Sequence, residues 1–259
     1  MITVIESKHN TTLRHLARLA REKKYRQGAG EMVCEGAKML GEALSSGVTV
    51  KTVLLRAGDT PDSGLIARAE AQGARLFEAE AHLFAQASDV ETPQGVIFSC
   101  VPPKRLADDL PDTLSGAVLL DGVQDPGNLG TILRTADAFA LDAVILCEGC
   151  TDPTAPKVVR ATMGAAFRQP VYRMPLAEAV AALKTRGLPV YAAALEPDSV
   201  PATALDLHGA GVIIGNEGNG VTRQALELSD KKVIIPMAGR AESLNAGVAA
   251  AILIWEMTK

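Results

Sequence analysis

Short apolar runs alternate with amphipathic stretches through the C-terminal half of the chain. The apolar runs predict five strands buried on both faces, at residues 116–120, 143–147, 189–194, 211–214 and 232–235. Helical spacing of apolar residues predicts helices at 131–140 and 176–185. The Ala-rich stretch 244–257 predicts a last helix, which Ser243 or Asn245 can cap. This alternation indicates an α/β fold with a mostly parallel sheet.

The first hundred residues carry a smaller α/β pattern. It predicts helices at 35–44 and 64–71 and strands at 50–55 and 95–101. Prolines at positions 102, 103 and 111 then interrupt the pattern, because proline lacks a backbone donor and disfavours helix in the residue before it. We therefore expect an N-terminal domain at 1–101, a linker at 102–113 and a larger C-terminal domain at 114–259.

Positive charge is concentrated near the N-terminus. The chain carries a net charge of −4, yet residues 1–30 hold seven basic side chains against two acidic ones. Helical spacing places a cationic side opposite an apolar one. The cationic residues are Arg14, Arg18, Arg21 and Lys24, with Arg26 close by. This side can bind RNA phosphates or can simply be a solvated helix face, and the acidic remainder argues against bulk attraction to nucleic acid.

Composition is typical of a globular protein, with 47% hydrophobic and 22% charged residues. No apolar run approaches the roughly 18 residues that a membrane span needs, and residues 1–10 lack the pattern of a secretion signal. We expect a cytoplasmic protein with four reduced thiols. Cys147 and Cys150 have no second Cys or His pair with which to complete a zinc site, so we expect no metal; a redox or metal role for this pair is the alternative.

Three glycine-containing loops follow predicted strands, at residues 121–130, 215–220 and 235–245. None is a Walker A loop or a Gly-x-Gly-x-x-Gly turn. Ligands of open α/β sheets bind at the carboxyl ends of the strands, so the polar side chains of these loops are expected to converge on one small-molecule site. These side chains are Asn128, Arg134, Glu217, Ser243 and Asn245. Ordinary strand-to-helix turns are the alternative, and the pattern leaves the ligand open.

Taken in order, the loops closely resemble the three signature motifs of the SpoU/TrmH RNA 2′-O-ribose methyltransferases of the knotted SPOUT superfamily. The motifs read Asn128-Leu129-Gly130-(x3)-Arg134-Thr135-Ala136, Ile214-Gly215-Asn216-Glu217-Gly218-(x)-Gly220 and Ile235-Pro236-Met237-(x5)-Ser243-Leu244-Asn245. Residues 156–165 are also similar to the family, with Thr162 where serine is common. Near the N-terminus, Ile5-(x)-Ser7-(x2)-Asn10 and Val33-(x)-Glu35-Gly36 resemble the substrate-binding domain of members that act on ribosomal RNA.

The resemblance implies an enzyme that transfers a methyl group from S-adenosylmethionine to a ribose 2′-hydroxyl, preferably in 23S-type ribosomal RNA. It implies a C-terminal SPOUT domain with a deep trefoil knot, preceded by a smaller α/β RNA-binding domain. It also implies a homodimer that packs through the catalytic domain, including the last helix. The matching cofactor-binding positions, around backbone groups and apolar walls, are Leu195, Gly215, Ile235, Met237 and Leu244.

Carried over by motif, Arg134 is the residue on which activity is expected to depend most. Arginine is a poor base because its pKa exceeds about 12, and a fork to an RNA phosphate beside the target ribose suits it better. Asn128 and Glu217 are expected to hold Arg134 and the loop geometry. Ser243 and Asn245 are expected to orient the hydroxyl and cap the last helix, with capping alone as the alternative.

Other functions stay open at this point. Transfer RNA is the second candidate substrate, and a non-catalytic RNA-binding or ribosome-assembly protein can share the fold. A dinucleotide-dependent oxidoreductase is disfavoured, because the Gly-x-Gly-x-x-Gly turn is absent from the sequence. Aromatic residues make up only 3% of the chain. Few side chains can therefore stack on RNA bases, and Tyr25, Phe167 and Tyr172 are the candidates, although core or surface placement is the more common role.

Overall fold

The computed structural model describes residues 2–59, 61–103 and 110–259. Their contacts form two compact units. The N-terminal unit comprises the described residues up to Pro103 together with Thr154–Arg168, and the C-terminal unit comprises the rest. Part of the predicted linker, residues 104–109, lies outside the described residues. The local pattern gave no sign that residues 154–168 pack with the N-terminal unit.

The N-terminal unit holds a five-stranded sheet. Its strands are β1 (Ile2–Ile5), β2 (Met32–Glu35), β3 (Val50–Arg56), β4 (Arg75–Ala79) and β5 (Val96–Cys100). They lie in the order β1-β4-β3-β5-β2. β4 pairs in parallel with β1 and β3, whereas β5 pairs antiparallel with β3 and β2. The unit's helices are α1 (Thr11–Arg21), α2 (Lys23–Ala29), α3 (Ala37–Ser45), α4 (Ser63–Ala71), α5 (Ala81–Ala87) and α7 (Pro156–Thr162).

Both faces of this sheet are covered by apolar side chains. Along β3, Val53 and Leu55 pack with residues of α3 and α4, whereas Leu54 points the other way and packs with α1 and α5. Because successive strand residues face opposite sides, a strand covered on both faces must be apolar throughout. This explains why β3 and β5 were predicted close to their observed bounds. β1, β2 and β4 were missed.

The basic segment forms two helices instead of the one that was predicted. Asn10 caps α1 by accepting from the backbone N–H groups of Thr12 and Leu13, at 2.9 and 3.3 Å. Glu22 then adopts an extended conformation, and α2 starts at Lys23. The prediction of an amphipathic α1 is confirmed on its apolar side by four buried residues, Leu13, Leu16, Leu19 and Ala20. Lys24 and Arg26 lie on the second helix, whereas Arg14, Arg18 and Arg21 lie on α1.

The C-terminal unit holds a seven-stranded sheet, in which the described strands pair in parallel. Its strands are β6 (Ala117–Asp121), β7 (Ala143–Leu146), β8 (Val171–Arg173), β9 (Val190–Ala193), β10 (Val200–Pro201), β11 (Gly211–Gly215) and β12 (Lys231–Ile234). They lie in the order β10-β12-β9-β11-β6-β7-β8. The predicted α/β fold with a largely parallel sheet is confirmed. The trefoil knot stays a prediction.

The helices of this unit are α6 (Pro126–Ala138), α8 (Leu176–Thr185), α9 (Arg223–Leu228) and α10 (Ala246–Met257). α8 has its predicted bounds, and α9 was missed. α6 begins five residues before its predicted start at 131, because Asp125 caps it and Pro126 occupies its first turn, where the missing N–H costs nothing. α10 packs against α6, which brings the first and third motifs together.

Two further findings bear on the expected class of protein. Among the described residues, no helix combines the length and apolarity needed to cross a membrane. Cys34, Cys100, Cys147 and Cys150 are free thiols. Burial raises the pKa of both Cys147 and Cys150, so neither is a thiolate at neutral pH.

Candidate functional site

A cleft of about 470 Å³ opens in the C-terminal unit beside the ends of β9, β11 and β12. Its volume lies within the range of small-molecule sites. The strands are parallel, so the loops that follow them meet at one edge of the sheet, as the positions of the second and third motifs predict. All five residues predicted to bind the cofactor line the cleft: Leu195, Gly215, Ile235, Met237 and Leu244.

The lining of the cleft combines an apolar wall with an acidic rim. Further apolar side chains in the wall include Leu226 and Leu253. Three carboxylates, Glu196, Glu217 and Glu242, also line the cleft, and its described lining includes no Lys or Arg. These features suit a ligand that buries apolar surface and carries positive charge.

Polar side chains of all three motifs meet in one chain of hydrogen bonds. One oxygen of Glu217 accepts from the Asn128 amide at 3.0 Å and from the backbone N–H of Asp125 at 2.9 Å. The other accepts from the backbone N–H of Gln124 at 3.1 Å. Asn245 donates its amide to the Asn128 side-chain oxygen at 2.8 Å. We call Asn245, Asn128 and Glu217 the polar relay; it ties the start of α6 to the loop after β11 and to the start of α10.

Each member of the polar relay is positioned by its own helix or loop. Asn128 is only 7% exposed and lies in the first turn of α6, not in the loop where the sequence placed it. The side chain of Asp125 accepts from the Asn128 backbone N–H at 2.8 Å and so caps the helix. Asn245 caps α10 by accepting from Val248 at 3.2 Å, which confirms one of the two predicted caps.

The hydrogen bonds that Glu217 accepts change its pKa. Burial alone raises the pKa of this carboxyl, but the bonds from Asn128, Asp125 and Gln124 outweigh burial and lower it below the ordinary value of 4.5. Glu217 is therefore ionised at neutral pH and acts only as an acceptor. A carboxylate that already accepts several hydrogen bonds and has a lowered pKa is a weak base.

The loop after β11 is closed on itself. Asn216 and Gly220 exchange backbone hydrogen bonds of 2.8 and 2.9 Å. The Asn216 amide also donates to the Gly122 carbonyl at 2.8 Å, which joins this loop to the loop after β6. Asp121, which is 6% exposed, accepts from the backbone N–H of Thr222 at 2.6 Å. Asn216 and Asp121 were not among the predicted site residues, although Asn216 stands within the second motif.

The other predicted catalytic side chains are placed differently. Arg134 is exposed on α6, and within the described part of the chain it forms no hydrogen bond or ion pair. Asn128 and Glu217 bond to each other and not to Arg134, so the expectation that they hold Arg134 is wrong, whereas their predicted role in the loop geometry fits their contacts. Ser243 is exposed and lines the cleft.

The cations predicted to bind RNA divide into two groups. Those that are exposed are Arg14, Arg18, Arg21 and Lys24. Arg26 is 6% exposed, and its guanidinium donates to the Leu19 carbonyl at 2.9 Å. The expectation that Arg26 contacts RNA is therefore corrected: its burial between α2 and α1 keeps it from a phosphate.

Residues 156–165, which the sequence associated with the same family, lie in the N-terminal unit. Thr162 is buried, donates its hydroxyl to the Val159 carbonyl at 2.7 Å and accepts from the Ala166 N–H at 3.2 Å. The hydroxyl at this position therefore secures the turn after α7.

Comparison with known families assigns both parts of the chain. Residues 116–255 match the SpoU rRNA Methylase family. Residues 10–97 match the MRM3-like substrate binding domain. The first match contains the polar relay and the cleft, and the second contains the exposed cations of α1 and α2.

Individual relatives resemble the chain over nearly its whole length. The 23S rRNA (guanosine(2553)-2′-O)-methyltransferase RlmP of Bacillus subtilis (strain 168) is 36% identical over 254 residues, which cover 98% of each chain. An AdoMet-bound rRNA methyltransferase from Sinorhizobium meliloti matches with a TM-score of 0.89 and 30% identity, over 99% of this chain and 97% of that one. The SpoU methyltransferase AviRb from Streptomyces viridochromogenes, in complex with the cofactor AdoMet, matches with a TM-score of 0.84 and 25% identity, over 96% and 98%.

Gly215 is expected to tolerate no side chain. A Cβ there would lie 2.1 Å from the Gly220 carbonyl carbon, so Gly215→Ala must displace the loop that lines the cleft. We expect the free energy of unfolding to fall by about 1–3 kcal/mol, as for other overpacked sites, when measured by chemical denaturation.

Gly218→Ala is the matched control in the same loop. A Cβ at Gly218 would lie 3.6 Å from its nearest neighbour, the Asn216 side-chain oxygen, which is ordinary contact. We expect a change within about 0.5 kcal/mol. Equal stability of the two variants would contradict the close approach at Gly215.

Proposed function

The chain belongs to the SpoU rRNA methylase family, and from this premise we propose how its cleft and its polar relay carry out the reaction of that family. The protein is an S-adenosylmethionine-dependent RNA 2′-O-ribose methyltransferase. In our proposal the cleft beside β9, β11 and β12 holds the cofactor, and Arg134 holds the RNA. The observation that carries the proposal is the polar relay, which joins all three motifs beside the cleft.

The residues of the cleft fit S-adenosylmethionine. Its adenine ring needs apolar walls, which Leu195, Ile235, Met237 and Leu244 provide. Its sulfonium and ammonium charges suit a rim with three carboxylates and no described Lys or Arg. Gly215 lines the cleft and has no room for a Cβ, so the loop after β11 can pack closely against it. When bound, the cofactor supplies an electrophilic methyl group. We propose that the last two motif loops also form the trefoil knot of the superfamily.

Methyl transfer requires that the ribose 2′-hydroxyl be oriented and lose its proton. Glu217 is a weak base because three donors already hold its carboxylate. Arg134 is permanently protonated and also unsuited to accept the proton. Its guanidinium is exposed and unpaired in the described structure, so it can form a bidentate fork with an RNA phosphate beside the target ribose. The hydroxyl proton would then pass to a non-bridging oxygen of that phosphate and on to water.

The two remaining motif residues take different roles in this proposal. Ser243 lies in the cleft with its hydroxyl available to orient the ribose. Asn245 uses its oxygen to cap α10 and its amide to hold Asn128, so it orients the relay and not the substrate.

We propose 23S-type ribosomal RNA as the substrate. The Bacillus subtilis relative, which is similar along 98% of each chain, is named for that RNA, and residues 10–97 match a substrate binding domain. In this proposal residues 1–101 hold the RNA through the phosphate contacts of Arg14, Arg21 and Lys24, residues 102–113 are a linker, and residues 114–259 catalyse transfer. Free thiols and a ribosomal substrate both favour a cytoplasmic location.

We also propose a homodimer that packs through α6 and α10. Val248 and Trp255 are apolar yet 46% and 49% exposed on α10. Trp255 packs against Phe139, at the end of α6, with ring centroids 5.4 Å apart. A second copy of the chain would cover these side chains, and aromatic residues are frequent at such interfaces.

Arg134→Ala is expected to abolish methyl transfer and to preserve cofactor binding. Loss of the phosphate fork should lower the rate at least about 100-fold, as for removal of other electrostatic contacts to a reacting group. The measurement is transfer of labelled methyl from S-adenosylmethionine to unmodified 23S rRNA, with cofactor affinity measured by calorimetry and with tRNA in a parallel reaction.

Arg223→Ala, which removes another exposed arginine of the same unit, is the control and is expected to retain activity. Full turnover by Arg134→Ala would exclude Arg134 from the mechanism. Label on tRNA alone would replace ribosomal RNA as the proposed substrate.

Trp255→Glu is expected to convert the proposed dimer to monomers, because it places a charge at the centre of the apolar contact. Sedimentation velocity at micromolar protein would show the change in mass. Val4→Glu is the matched control, since Val4 is 60% exposed on β1 of the other unit. A wild-type protein that sediments as a monomer would contradict this interface.

A further inference from the structure

Arg18 is held in one orientation on the surface of the N-terminal unit. Its guanidinium carbon lies 3.8 Å from the centroid of the Tyr25 ring. Its Nε and Nη2 atoms donate to the two carboxylate oxygens of Glu22, at 3.0 and 2.9 Å. One face of the guanidinium therefore meets an aromatic ring and one edge meets a carboxylate. The side chain is still 52% exposed.

The ring beneath Arg18 is itself held in place. The Tyr25 hydroxyl lies 2.9 Å from His15 Nδ1, and His15 Nε2 lies 3.1 Å from a carboxylate oxygen of Glu31. The His15 and Tyr25 rings also meet edge to face, with centroids 5.6 Å apart. Arg18 thus lies on a support that is already ordered, so little side-chain entropy remains to be lost when a ligand binds.

The charge of Arg18 is already compensated. Its fork to Glu22 raises the pKa of Arg18 and lowers that of Glu22, so both groups stay charged and paired near neutral pH. A phosphate would have to compete with this carboxylate. Lys24 and Arg21 are also exposed, and neither forms an ion pair with a described carboxylate, although Arg21 donates to the Gln86 carbonyl at 3.0 Å. They are better suited to bind phosphates than Arg18 is.

The aromatic residues that the sequence suggested as stacking surfaces do not offer an open ring face. Of the three aromatic candidates named from the sequence, Phe167 is 4% and Tyr172 is 2% exposed, so neither can meet a base. Tyr25 is partly buried and one of its faces is covered by Arg18. A base that approaches this part of the surface therefore meets the guanidinium and not the ring.

We propose that the exposed face of the Arg18 guanidinium, backed by Tyr25 and held by Glu22, is a stacking site for an unpaired nucleobase of the substrate RNA. Bases in single-stranded RNA stack on arginine planes as they do on aromatic rings, with little dependence on sequence. Lys24 and Arg21, which carry no carboxylate partner among the described residues, would hold the adjoining phosphates. This inference rests on the proposed function, in which RNA is the substrate.

Arg18→Lys tests the site, because lysine keeps the charge and can keep the ion pair with Glu22 but has no plane on which a base can stack. The probes are a short oligoadenylate and an abasic ribose-phosphate strand of equal length, with affinities measured by fluorescence anisotropy at one salt concentration. We expect Arg18→Lys to weaken oligoadenylate binding about tenfold, within the range seen when stacking side chains are removed, and to leave abasic binding unchanged.

Two controls separate stacking from charge and from folding. Lys24→Ala removes a proposed phosphate contact and is expected to weaken both probes equally. Arg223→Lys alters a similar arginine–glutamate pair, in which Arg223 and Glu227 lie 2.7 Å apart. No aromatic ring among the described residues packs against this pair. Arg223→Lys is expected to change neither affinity, and circular dichroism checks that each variant is folded.

The outcomes distinguish this inference from the function on which it rests. Equal losses on both probes, or no loss on either, would overturn the stacking site and leave the methyltransferase intact, provided that the wild type methylates ribosomal RNA. A wild-type protein that methylates ribosomal RNA but does not bind oligoadenylate would also overturn the stacking site. A wild type that neither binds nor methylates RNA would overturn both proposals.

Discussion

The site depends on the hydrogen bonds that the Glu217 carboxylate accepts. This carboxylate accepts hydrogen bonds from two backbone N–H groups and from the Asn128 amide, all between 2.9 and 3.1 Å. Asn128 is buried, and a buried amide without partners would cost free energy. Asn245 donates to the oxygen of the Asn128 amide. The start of α6, the loop after β11 and the cap of α10 therefore form one hydrogen-bonded structure. The cleft lies between elements that this structure holds in place.

Hydrogen bonding within the chain distinguishes the residues that support the site from those that can act on substrate. The side chains of Asn128, Glu217 and Asn245 are hydrogen-bonded within the chain, whereas those of Arg134 and Ser243 form no hydrogen bond with a described residue. The N-terminal unit shows the same division among its cations. Arg26 is buried on a carbonyl, whereas Arg14 and Lys24 face solvent. We therefore expect the side chains that contact substrate to be exposed ones.

Much of the C-terminal fold could be predicted from the sequence, because strands covered on both faces are continuous apolar runs and the three motifs follow them. The start of α6 could not, since Pro126 and Gly127 are typical of a loop as well as of a first helical turn. β1 could not be predicted either, because its first three residues are exposed and its pairing with β4 is what identifies it as a strand. The burial of Arg26 and the packing of residues 154–168 arise from tertiary contacts, which local sequence patterns do not reveal.

Asn128→Asp tests most directly whether the polar relay positions the cofactor site. The substitution keeps the size of the side chain but replaces the donor that meets Glu217 at 3.0 Å with a second carboxylate. The measurement is the affinity for S-adenosylmethionine, relative to wild type, as a function of pH. We expect a loss of affinity on the order of tenfold at neutral pH, because the two carboxylates repel each other, and a smaller loss in acid, where a shared proton restores a donor. Wild-type affinity at neutral pH, or a loss that does not shrink as the pH falls, would contradict it.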